Sequence, residues 1–310
     1  MQLFYTDLFE LPLPAGHRFP MSKYRLLRER LVSDPFFSDD VFLIPPPATL
    51  DQITLAHDLA YVDRVLNGKL SEAEQKRIGF PWTEAMVERS RRSSGATLAA
   101  ADAALHEGVS VNLAVGTHHA MRDAGEGYCI FNDAAITMLE MLRRKRIRRG
   151  VVIDLDVHQG NGTAQILAGS PEVFTLSVHC AKNFPARKHP SSLDVDLDIG
   201  TTDEVYLQRL SEAMSQVDAF GPYDLAIYLA GADPYEGDRL GNLKLTQQGL
   251  SMRDQLVFEW LEQRSVPVAV AMAGGYAREV ERIVDIHRAT IGRAKEHWLR
   301  CRWRLETARD

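Results

Sequence analysis

Short apolar runs alternate with longer amphipathic stretches along most of this chain. The runs Val109–Val115, Val151–Val157, Val173–Val178, Leu225–Ala230 and Val266–Ala271 have the length and continuity of strands buried on both faces. Val41–Ile44 adds a short strand stopped by Pro45-Pro46-Pro47. Between the strands lie helical patterns at Thr83–Glu107, Ala134–Arg149, Glu204–Ala219 and Thr246–Gln263. Strands alternating with helices predict an α/β fold, a parallel sheet covered on both faces. Leu193–Gly200 alternates acidic and apolar residues and reads as a half-exposed strand rather than a metal motif. A long C-terminal helix carries Ile286, Ile291, Trp298, Leu299 and Trp303; it is expected to cover the sheet, with an oligomer surface as the alternative. No repeat, low-complexity tract or linker divides the chain, so one domain over residues 1–310 is expected.

In open parallel sheets, ligands bind beyond the carboxyl ends of the strands. The unusual polar clusters of this chain fall there. His118-His119 follows the first long strand, Asp154, Asp156 and His158 end the second, Asp233 follows Leu225–Ala230, and Tyr276 follows Gly274-Gly275. Alternation along a strand points Asp154, Asp156 and His158 to one face. Two carboxylates and an imidazole make a poor core but suit a borderline divalent ion such as zinc. Asp156 and His158 supply two ligands and Asp233 is the natural third, although a turn or cap aspartate is equally common in such a place. Adjacent histidines beside such an ion can share proton transfer. A tyrosine after two glycines can donate to the oxyanion of a tetrahedral intermediate, or simply pack.

Composition narrows the classes. The 310 residues carry a net charge of -6, which argues against a dedicated nucleic-acid binder and is weakly compatible with a basic partner. Three cysteines without metal-type spacing suggest free thiols in a reducing compartment. Neither a membrane span nor a signal peptide is apparent, so a cytoplasmic location is expected. Arg143–Arg149 reads as the solvated end of a helix rather than a nucleic-acid patch.

The segments THHA, GEGYCIFNDAAI, IDLDVHQGNG, GADPYEGDRLG and AGGY, in this order from Val111 to Tyr276, resemble the histone deacetylase family, and its class IV branch in particular. The resemblance implies a single-domain three-layer αβα fold around a mostly parallel eight-stranded sheet, the arginase-deacetylase type. It implies zinc-dependent hydrolysis of Nε-acyl-lysine amides, with Zn²⁺ or Fe²⁺ held by Asp156, His158 and Asp233. His118 and His119 become the acid–base pair and Tyr276 the carbonyl-polarising group. Asp154 orients His118 and joins Asp156, His158 and Ser177 around a K⁺ ion. Gly127, Tyr128 and Phe184 line the acyl-lysine tunnel. Asn161 stands where some branches carry an aspartate; a neutral amide stabilises an imidazolium less, so His119 is expected to stay neutral and act as the base. The implied substrate is an acyl-lysine protein or peptide; a small acylated amine of the polyamine type is the alternative, and a silent acyl-lysine binder a third. No nucleic-acid or membrane partner is implied, and oligomeric state, acyl length and native substrate stay open.

Overall fold

The computed structural model describes residues 1–14 and 16–307, with side chains through Cys301. Eight strands form one sheet: β1 (Gln2–Phe4), β2 (Val41–Leu43), β3 (Val109–Val115), β4 (Gly150–Asp154), β5 (Val173–Cys180), β6 (Leu193–Leu197), β7 (Leu225–Ala230) and β8 (Val268–Met272). Their spatial order is β2-β1-β3-β8-β7-β4-β5-β6, and every pairing is parallel. Parallel neighbours need crossovers, and helices provide most of them. These are α1 (Ser22–Ser33), α2 (Leu50–Ala56), α3 (Leu59–Leu66), α4 (Glu72–Ile78), α5 (Glu84–Glu107), α6 (Asp133–Arg143), α7 (Asn161–Leu167), α8 (Asp203–Asp218), α9 (Gln247–Arg264) and α10 (Val280–Thr307).

The period-2 rule divides each central strand between two cores. Val151 and Ile153 of β4 pack with Tyr228, Leu261 and Trp298 on one face, while Val152 packs with Ile227, Met138 and Ala271 on the other. Thr83 and Thr246, where the helical patterns begin, cap α5 and α9 by accepting from the amides of Met86 and Gly249. Ile286, Ile291 and Trp298 of α10 are buried in the first core, so this helix covers the sheet; Leu299 is 46% exposed. The side chain of Trp303 lies outside the described residues.

Several boundaries differ from the sequence reading. β4 stops at Asp154: the Leu155 amide still reaches the Leu229 carbonyl of β7, but the amides of Asp156, Val157 and His158 bond to aspartate side chains instead of a neighbouring strand. α6 stops at Arg143, and Lys145 turns the chain with φ 56°. The basic run after it is a paired turn: Arg144 meets Glu140 and Asp102, and Arg148 meets Asp224. β8 starts at Val268, after Pro267, which has no amide to donate. β6 and β2 are the edge strands; in β6 Asp196 is exposed, while Asp194 is half-buried and accepts from Gln159. β1, three residues long, was not anticipated. No helix among the described residues is long and apolar enough to cross a membrane.

Candidate active site

Four neighbouring strands, β3, β8, β7 and β4, deliver the polar clusters to one rim. Beyond β4, the Asp156 amide donates to Asp154 Oδ1 (3.1 Å) and the His158 amide to Asp156 Oδ1 (2.9 Å). These aspartate turns, rather than continued strand pleating, aim the two side chains. The Val157 amide donates to Asp233 Oδ1 (3.0 Å) and the Gly274 amide to Asp156 Oδ2 (2.7 Å), which stitches the ends of β4, β7 and β8 together. Gly274 has to be glycine, since a Cβ there would collide with Asp233 Oδ2. Arg253 of α9, fully buried and ion-paired with Asp254, donates to the carbonyls of Leu155 (3.3 Å) and Gly231 (2.6 Å). It thereby braces both ligand-bearing loops from below.

Asp156, His158 and Asp233 each offer a ligand atom within 4.8 Å of the others, all buried. Among the described residues no Lys or Arg forms an ion pair with either carboxylate, although buried Lys23 feels both charges, and Asp233 Oδ2 has no hydrogen-bond partner. Burial, then the neighbouring Asp156 charge, raises the Asp233 pKa. His158 Nδ1 lies 2.9 Å from Asp156 and 3.3 Å from Asp233, where a proton holds the place of a cation. One oxygen from each of Asp156 and Asp233, the latter with an oxygen that lacks a hydrogen bond, and one imidazole nitrogen fit a divalent ion with an open position.

The centroids of the two histidine rings lie 4.0 Å apart, with the rings tilted 44° to one another. His118 Nδ1 donates to Asp154 Oδ2 (2.7 Å). Burial disfavours the charged His118, but Asp154 and Asp156 outweigh it and lift its pKa to about 9. A cation on Asp156 would cancel that residue's share and leave Asp154's. His119 Nδ1 donates to Asn161 Oδ1 (2.7 Å), and Asn161 Nδ2 donates to Glu126 Oε1 (2.6 Å). Burial, then the charges of His118 and His158, hold His119 well below the usual imidazole range. Glu126 decides which end of the Asn161 amide faces His119; Nδ1 therefore carries the hydrogen and Nε2 keeps its lone pair.

Tyr276 closes the far side, 6.4 Å from His158 ring to ring. Its amide donates to Asp238 Oδ2 (2.6 Å) and its carbonyl accepts from Arg239 Nε (2.7 Å), so its backbone is held at both ends. His119, His158 and Tyr276 share a cavity of ≈310 Å³ with Gly127, Tyr128, Phe184 and Leu240. Gly127 (φ 55°) and Tyr128 (φ 67°) both sit in the left-handed region. A Cβ on Gly127 would meet the rings of His119 at 2.7 Å and Phe184 at 2.9 Å. Phe184 stands edge-on to His119, centroids 4.8 Å apart. Ser177 pairs in register with Asp154, and its hydroxyl bonds to His179 (3.0 Å). Cys129 is buried beneath this wall, and burial pushes its thiol pKa well up, which disfavours oxidation.

Sequence reasoning missed Glu126, Asp238, Arg253 and Lys23. Lys23 is buried, donates to the Gly275 carbonyl (3.3 Å) and lies 5.3 Å from the Tyr276 ring; burial lowers its pKa to about 8. The only signal for Glu126 and Asp238 was their position inside the family-like segments.

Residues 17–291 match the histone deacetylase domain. The chain belongs to the histone deacetylase family. An uncharacterized protein of Picosynechococcus sp. is 40% identical over 91% of this chain and 94% of its own length. Histone deacetylase 2 of Arabidopsis thaliana is 30% identical over 90% of this chain and 74% of its own. The acetoin utilization protein AcuC of Bacillus subtilis is 30% identical over 74% and 65%. The crystal structure of the HDA15 HD domain superposes with a TM-score of 0.79 over 97% of this chain and 93% of that one, at 20% identity, so the fold is shared. Family membership makes this chain a hydrolase of the acyl-amide type.

Proposed function

We propose that the chain hydrolyses Nε-acyl-lysine amides of proteins or peptides. The observation that carries this reading is one cavity ending on His119, His158 and Tyr276, with Asp156 and Asp233 behind them. Asp156, His158 and Asp233 would hold a Zn²⁺ or Fe²⁺ ion, which would supply Lewis acidity toward the acyl carbonyl and the attacking water. His119 Nε2, free because Asn161 holds Nδ1, takes the proton from the attacking water. His118, backed by the Asp154 carboxylate, keeps a proton to give to the departing lysine amine. The Tyr276 hydroxyl donates to the oxyanion as it forms. Gly127, Tyr128 and Phe184 exclude water around the acyl-lysine stem. Asp154 and Ser177, with Asp156 and His158, are our candidates for a K⁺ site supporting the loop.

The test is a panel of acetyl-, butyryl-, octanoyl- and myristoyl-lysine peptides incubated with metal-stripped and zinc-restored protein. Cleavage returning with zinc supports the reading, and the preferred chain length reports the tunnel depth. Failure on every peptide by a protein that binds one ion per chain would refute it in favour of a small acylated amine or a silent binder.

A further inference from the structure

The lining of the cavity carries two cations. Lys76 and Arg77, in the last turn of α4, line it. The Arg77 carbonyl accepts from the Gly127 amide (3.2 Å) and the Ile78 carbonyl from the Tyr128 amide (2.7 Å), so these cations adjoin the tunnel wall. On the Tyr276 side, Arg239 Nη2 donates to the Arg18 carbonyl (3.1 Å), and both arginines act electrostatically on Tyr128. Lys182, Arg187 and Lys188 flank Phe184, and Lys188 Nζ is held by the carbonyls of Asn183 (3.1 Å) and Pro185 (3.0 Å).

Among the described residues the cavity lining carries Lys76 and Arg77 and no carboxylate; nearby, Glu72 and Glu74 start the same helix, Glu74 is paired with Arg64, and Asp194 and Asp196 act on Lys188. Glu126 is engaged by Asn161, and Asp238 by the amides of Leu240, Gly241 and Tyr276. A basic mouth on a chain of net charge -6 runs against the charge of the molecule as a whole. Clefts of one sign concentrate ligands of the other. An acylated lysine is itself neutral, so only its neighbours carry charge for this rim to read.

Building on the deacylase reading, we propose that the rim selects acyl-lysines flanked by acidic residues and disfavours lysine-rich tails and polyamines. The product lysine, charged again after hydrolysis, is pushed out of the same mouth.

The experiment uses three fluorescent peptides that share one acetyl-lysine and differ in acidic, neutral or basic flanks. Binding to the metal-free full chain is followed by anisotropy, and kcat/KM is measured on the zinc-loaded protein. The acidic peptide should bind about tenfold more tightly than the neutral one at about 20 mM salt, and the gap should close near 500 mM as screening shortens the range of the field. Lys76→Glu/Arg77→Glu should reverse the order. Lys182→Glu/Arg187→Glu should do the same if the first pair disturbs α4. Equal binding of all three peptides, binding of none, or preference for the basic one overturns the inference. The acidic preference in binding without cleavage of any peptide counts against the deacylase reading and supports the rim's selectivity.

Discussion

In the proposed reaction, two histidines with the same chemistry take different duties from what their Nδ1 atoms touch. His118 meets a carboxylate and His119 a neutral amide. Replacing Asn161 with Asp should therefore give His119 a carboxylate partner and move the pH–rate profile, since an anion stabilises the imidazolium. It should also set a second carboxylate against Glu126, a clash that Glu126→Gln relieves by offering a donor. An Asn161→Asp profile superimposable on the parent's would sink the assignment of His119 as base. Tyr276→Phe should lower kcat by on the order of 10²–10³ while peptide binding to the metal-free chain is retained, in keeping with loss of one oxyanion donor. Full activity in that variant would remove Tyr276 from the chemistry.

The elements that hold these residues were unequally visible in the sequence. β5 and β7 stood out because burial on both faces demands continuous apolar runs. β1 did not, because its three residues carry no measurable period and, unlike the equally short β2, no run of prolines marks its end. The stretch Asp154–His158 alternates like a strand yet is a chain of aspartate turns; alternation cannot reveal whether an amide will find a neighbouring strand or a side chain. The candidate residues of the site could be read from motif order, but Arg253 could not, since a buried arginine in a helix looks like any amphipathic position. Gly127 belongs to this scale too: Gly127→Ala should strain the left-handed turn, press on His119 and Phe184, and depress kcat/KM with little change in far-UV dichroism. His57, after α2, is another element-scale support. It bonds to the Met121 carbonyl (2.8 Å) and accepts from the Asn132 amide (2.8 Å), so it is needed neutral. Burial lowers its pKa from 6.5 to about 4. The unfolded chain thus takes up a proton before the folded one does. The stability contribution is complete above pH 6.5, shrinks as pH falls towards 4 and levels off below it. The integrated loss is at most about 3 kcal/mol. Urea unfolding between pH 7 and pH 4 should show that slope, and His57→Gln should flatten it.

At the scale of the whole molecule, net charge and composition are poor guides to the site. A chain of net charge -6 nonetheless places Lys76 and Arg77, and among the described residues no carboxylate, in the lining of its cavity. Its candidate metal site is likewise an assembly of distant parts. If Asp156, His158 and Asp233 hold an ion, zinc at about 100 times its dissociation constant should add about 2.7 kcal/mol to the folded state, read as a rise in Tm that a chelator reverses. An unchanged Tm would speak against the site. Arg253 adds a mechanical corollary. A single guanidinium grips the carbonyls just before Asp156 and two residues before Asp233, so the gap between two of the jaws is set from a helix that touches neither. Metal retention then reports the seating of α9 on the sheet. On gradual addition of denaturant, the ion should escape while most of the helical signal persists, the grip failing before the fabric tears.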